Sequence, residues 1–286
     1  MAQKLYTSII SGMKNGSITP YLGAGALKGS THAATGVPIP ASSDELILAI
    51  NRGKPMAPKL MYEFPRAAMH IELKSGRSAV NRALTTIYDE PAWSTPALYH
   101  WLDSLALPYL IDINRDTLLQ RLYARRSHYL IEGISRIGGT DYRFRIYRFQ
   151  DGKYEEIVQE EMTNGIPILF KPMGSPWPAR NYIASDADYV DYITELMGGF
   201  AIPKFIKEYR KERQYLFLGL RLNRDTERMV MTEITRFGGQ PLGWALIEEP
   251  TAKERRFCDK MNITIIESGI EELLTFALGR EPEITV

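Results

Sequence analysis

The chain has 286 residues, 44% of them hydrophobic and 24% charged, enough for one large α/β domain with a real core. Its 35 basic and 34 acidic residues leave a formal net charge of +1, which gives no sign of a nucleic-acid-binding surface. The single cysteine, Cys258, excludes an intrachain disulfide and a four-cysteine zinc site, and it suits the reducing cytoplasm.

Residues 1–16 read as a helix without an apolar signal core, and no apolar run is long enough to cross a bilayer. Ile18–Leu22 is a strand-length apolar run that leads straight into Gly23, Ala24, Gly25 and Ala26. Residues 43–51 open on a serine cap and an acidic first turn, which predicts a helix. Residues 54–96 are predicted helical, forming a second lobe. A strand is predicted over 107–113 and a helix over 116–124. Residues 142–149 alternate aromatic residues with arginine, and Asp151-Gly152 followed by 153–158 completes a hairpin signal. The whole of 125–163 reads as an insertion, an excursion from the main sheet. Further strands are predicted over 166–170, 215–218, 241–247 and Ile263–Ile266, with helices over 186–197, 225–237 and 270–278. Short apolar runs alternating with helices predict one α/β domain over 1–286, a Rossmann-like parallel sheet with helices on both faces.

The glycine turn after the first strand is the place where bare amides could meet a phosphate. Alone it is weak, because the six-residue dinucleotide fingerprint is absent. Other strand ends add to it in order: Gly36-Val37-Pro38; Asn114-Arg115-Asp116 followed by Leu118 and Leu119; Lys171-Pro172-Met173-Gly174-Ser175, then Asp188-Tyr189; and Gly219-Leu220-Arg221-Leu222-Asn223 before Asp225. With these motifs the chain resembles the sirtuin-like domain family, specifically its zinc-free branch found in many bacterial proteins. The resemblance runs from about residue 18 to 278.

The resemblance implies NAD or ADP-ribose as the ligand, and no zinc. Gly23, Ala24, Gly25 and Ala26 would hold the diphosphate, with the loop that includes Pro38 closing over it. Asn114 and Asp116 would meet the nicotinamide and its ribose. Gly219, Arg221 and Asn223 would lie near the adenosine ribose and phosphates, and Glu267 at the adenine end. Each residue also has a plain structural reading: Asp116 and Asp225 as helix caps, Asn114 as a turn residue, Arg221 as a surface ion pair, Tyr189 as core.

Family enzymes use a histidine as the base, and here Met173 takes its position. A thioether does not accept a proton near neutral pH, and losing a placed base costs about 10²–10⁴ in rate. Arg115 adds a cation beside the nicotinamide end. The pattern implies a nucleotide-binding protein that is catalytically degenerate, with His32 or Asp112 as substitute bases. One alternative is an NAD-consuming glycohydrolase of bacterial defence type. The other is an assembly or interaction protein that keeps the fold without the ligand, with a protein partner or a homo-oligomer formed through the aromatic–arginine hairpin.

Overall fold

The computed structural model describes residues 2–89 and 92–279. A nine-stranded sheet forms its centre, built from β1 (Ile18–Leu22), β2 (Tyr109–Asp112), β3 (His128–Gly133), β4 (Phe144–Gln150), β5 (Lys153–Ile157), β6 (Ile168–Lys171), β9 (Gln214–Leu218), β10 (Gly243–Leu246) and β11 (Ile263–Ile266). The intervening β7 (Gly174–Ser175) and β8 (Asn181–Tyr182) form a separate two-stranded ribbon. The order across the sheet is β11-β10-β9-β1-β2-β6-β3-β4-β5. Every pairing from β11 to β3 is parallel.

Successive side chains of the strands enter opposite cores, following the pleat. Ile18 and Leu22 of β1 face one core with Leu110, Leu130, Leu169, Leu216 and Leu218. Tyr21 faces the other with Ile111, Ile131, Phe170 and Phe217. Helices α1 (Ala2–Lys14), α2 (Ser43–Ile50), α3 (Phe64–Ser75), α4 (Arg77–Tyr88), α5 (Ala97–Ser104), α6 (Leu118–Tyr123) and α11 (Ile270–Ala277) supply residues to the first core. Helices α7 (Asp186–Gly198), α8 (Lys204–Tyr209), α9 (Asp225–Ile234) and α10 (Ala252–Met261) supply the second. Both faces are therefore covered, which explains why the parallel strands read as unbroken apolar runs. None of the helices among the described residues is long and apolar enough to cross a membrane.

The helix starts follow their caps. Ser42 accepts the Glu45 amide at 3.2 Å, while Glu45 reaches back to the Ala41 amide at 2.7 Å. Thr251 and Glu254 form the reciprocal box at the start of α10. α3 and α4 fall within the stretch read as a helical lobe, and α3 packs against both α2 and α7.

One expectation needs correction. Residues 125–163 do not leave the main sheet. β3 pairs parallel with β6, and the β4–β5 hairpin, turning at Asp151 and Gly152, extends the same sheet in antiparallel register. Most apolar residues of the hairpin face inward because the sheet continues beneath them: Phe144, Ile146, Tyr147 and Phe149 are buried, while Tyr142 is exposed. Arg143 is taken up by Asp191 at 2.7 Å. His128 on β3 is likewise internal, stacked on Phe149 with its Nε2 2.7 Å from the Tyr154 hydroxyl. Burial pushes its imidazole down to about 4, so it is neutral at physiological pH.

Candidate functional site

The chain runs outward from β1 to β2 and β3, then returns to the other side of β1 with β9. This reversal is where an open α/β sheet forms its crevice. Here the two loops that leave the crevice close on each other. The Gly23 amide donates to the Leu218 carbonyl at 2.8 Å, and the Gly25 amide to the Gly219 carbonyl at 2.8 Å. Ala26 donates to Gly23 at 3.0 Å within a 3-10 turn, Ala24–Leu27. The expectation of bare amides across 23–26 therefore fails at three of the four positions. The glycines have a different cause. Gly219 sits at φ +68°, and a Cβ there would come 2.2 Å from the Ala26 nitrogen; a Cβ on Gly25 would come 2.9 Å from the Gly219 Cα. Two backbones touch, and neither side tolerates a side chain.

Beside this contact, at the ends of the strands, lies a cavity of about 70 Å³. Ala24 lines it from the 3-10 turn, Asn114 and Arg115 from the loop after β2, and Met173 from the loop after β6. Glu63 and Phe64 line it from the start of α3, and Thr226 and Glu227 from the first turn of α9. Asn114 is held on three sides. Its amide nitrogen donates to the Gly23 carbonyl at 2.9 Å and the Tyr99 hydroxyl at 3.3 Å, and its backbone N–H donates to Asp112 at 3.0 Å. This side chain ties the β2 loop to the glycine turn.

Arg115 is buried in the wall. Its Nε donates to the Ile183 carbonyl at 3.0 Å and its Nη2 to the Tyr189 hydroxyl at 3.2 Å, with the guanidinium 4.9 Å from the centre of the Phe64 ring. Its donors are met by neutral oxygens and a ring face, so its positive charge persists in the cavity wall. Glu227 is the opposing group. One of its carboxylate oxygens is buried without a hydrogen-bond partner among the described residues. Burial raises its pKa to about 7; Arg224 opposes the rise and Glu63 adds to it. Glu63 accepts the Thr226 hydroxyl at 3.0 Å, bridging α3 to α9.

The other sequence candidates lie off the cavity. Asp116 is buried; Oδ1 accepts the Leu118 amide at 2.8 Å, as a cap would, and Oδ2 has no partner among the described residues. Pro38 is exposed and bridges to Thr31, while His32 packs edge-on against Trp93. Asp112 is paired with Lys171 at 2.6 Å, both fully buried, so it is not available as a base. Arg221 lies outside, 3.4 Å from Glu254, and Glu267 pairs with Arg255 at 2.9 Å. Asn223 is half-buried and does not line the cavity.

Glu63, Phe64, Thr226 and Glu227 are among the site residues that sequence reasoning missed. Glu227 carried a signal, since an acidic residue in a first helical turn is visible in the sequence. That signal reads as a helix start, and it does not tell which way the side chain faces. Among the described residues no group of three histidine, cysteine, aspartate or glutamate side chains is placed to hold a metal ion.

A family model for the SIR2-like domain matches residues 108–266. No curated protein matches the chain.

Proposed function

The chain belongs to the SIR2-like domain family, and from that premise we propose that it binds a nucleotide of the NAD or ADP-ribose type at the strand ends without turning it over. The observation that carries this reading is the lining of the cavity. Met173, only 2% exposed, stands in the wall together with the cation of Arg115. A sulfur and a guanidinium there provide no proton acceptor, and the charge opposes any positive charge developing on a ribose.

Size limits the fit. Pockets for organic ligands enclose about 300–1,000 Å³, and this cavity of about 70 Å³ does not take a whole dinucleotide as it stands. Its residues suit one end of such a ligand. Entry of the rest requires α3 to draw away from α9, across the Thr226–Glu63 hydrogen bond.

Calorimetry with NAD and with ADP-ribose, run beside an assay for released nicotinamide, tests the reading. Saturable heat without nicotinamide is the expected result; no heat and no thermal shift with either ligand removes it. The latch supplies a second test. A hydrogen bond to a charged group contributes about 1.5–3 kcal/mol, so Thr226→Val should raise the fraction of open protein and tighten nucleotide binding at least about tenfold. Unchanged or weaker affinity in that variant would show that the two helices do not gate the cavity.

A second reading, an NAD-consuming glycohydrolase, is favoured by Glu227. A cavity-lining carboxylate titrating near pH 7, with one buried oxygen unpartnered among the described residues, is a proton acceptor of the kind that Met173 lacks. Released nicotinamide that increases as pH rises through 7, and disappears in Glu227→Gln, would select it over the binding protein.

A further inference from the structure

A second concavity, larger than the strand-end cavity, lies away from it. A cleft of about 1080 Å³ opens between the end of α2, the segment after it, the second half of α3, and α4. It shares no lining residue with the strand-end cavity. Its cations are Arg52, Lys54, Lys59, Lys74 and Arg82, all exposed, and no carboxylate lines it. The chain's net charge is only +1, so this is charge segregated onto one surface. The acid of α3 points elsewhere: Glu72 pairs with Arg77 at 3.4 Å and with Arg136 at 2.8 Å. No carboxylate among the described residues forms an ion pair with any of the five cations.

Between the cations the cleft carries an aliphatic strip of Ile50, Leu60, Ile71 and Ile87, flanked by the neutral polar side chains of Asn51, Ser75 and Thr86. The chemistry of its ligand follows from that combination. A strand of nucleic acid would need ring faces for its bases, and none of the lining residues is aromatic except the imidazole of His70. A free inorganic anion would leave the apolar floor without a partner. The geometry points to a binding site for an organic phosphate with an aliphatic body, its charge on the rim and its chain on the floor.

Octyl phosphate, titrated calorimetrically into the full chain, is the probe. Saturable one-to-one binding that weakens as salt is raised is expected. Octyl glucoside and inorganic phosphate, which each carry half of the chemistry, should bind at least about tenfold more weakly. The double variants K74E/R82E and R52E/K59E change exposed side chains on different walls, and each should weaken octyl phosphate at least about tenfold. The proposal is overturned if octyl glucoside or inorganic phosphate binds as tightly as octyl phosphate, or if both variants, with unchanged thermal midpoints, bind like the parent. Absence of saturable heat also overturns it, and so does displacement of octyl phosphate by ADP-ribose, which would move the ligand to the other cleft.

Discussion

Replacing Lys171 by methionine is expected to destabilise the folded chain by about 3–5 kcal/mol. Lys171 ends β6 and Asp112 ends the neighbouring strand β2; their side chains meet at 2.6 Å with neither exposed. Burial raises the Asp112 carboxyl well above its ordinary range, and the Lys171 ammonium is the main influence that opposes this. Without the lysine, Asp112 is a buried acid with no counter-charge, and it takes up a proton rather than remain charged. The loss is then transmitted to the site. Asp112 accepts the backbone amide of Asn114, and Asn114 holds the glycine turn through the Gly23 carbonyl. Urea unfolding of K171M at pH 7 measures the effect, and nucleotide binding should weaken in step with it. The double variant D112L/K171M removes both charges and should recover most of the stability, since apolar replacement of a buried pair is often neutral. A single variant within about 1 kcal/mol of the parent would mean that the pair contributes little.

The sheet was legible because its parallel strands are buried on both faces. Ile18–Leu22 and Ile263–Ile266 show as apolar runs with turn residues behind them, and the structure places both at the expected bounds. β3 was hidden for a local reason. His128–Gly133 carries a histidine and a glutamate inside an otherwise apolar run, and it follows the basic pair Arg125 and Arg126. Those charges make the segment look like surface, whereas the fold buries His128 and Glu132 in a polar seam. Three residues of apolar signal do not outweigh two polar groups whose partners, Tyr154 and Ser175, lie far away in sequence. The candidate site divides along the same line. Ala24, Asn114 and Met173 stand at strand ends, and strand ends can be read from the sequence. Glu63 and Phe64 come from the lobe, whose position over the sheet depends on packing of α3 against α2 and α7. No local pattern encodes that docking. The glycine turn is the instructive case. Its composition was informative, but the same glycines that bring backbone near a phosphate also let one loop lie on another, and only the Gly219 contact distinguishes the two.

The polar seam also sets how stability should vary with pH. Glu132 is fully buried; one oxygen is bonded to the Ser175 hydroxyl and the other has no partner among the described residues. Burial lifts its pKa to about 8, with Ser175 and Lys171 pulling back. In the unfolded chain the same group titrates near about 4.3. Between those two values the folded state keeps a proton that the unfolded state has lost. Its contribution is therefore complete below the unfolded value and is lost as pH rises through about 8. The amount at stake is on the order of 5 kcal/mol across the window. Glu227 acts with the same sign over the lower part of that window, up to about 7. Carboxylates held below their ordinary range by arginines act with the opposite sign, but at lower pH: Asp188, which burial pushes up, is brought down by Arg77, so its contribution is lost only as pH falls through the acid range. His128, buried and neutral, acts with the opposite sign up to its ordinary value of about 6.5, so between pH 5 and 8 the parent should become less stable, most steeply above that value. Glu132→Gln keeps a neutral side chain of the same shape beside Ser175 and has no proton to lose. Its unfolding free energy, measured in urea at each pH unit from 5 to 8, should fall much less steeply than the parent's, with the variant the more stable of the two at pH 8. Two parallel curves would show that Glu132 is ionised in the folded state throughout, and that the seam is solvated well enough to hold a second charge.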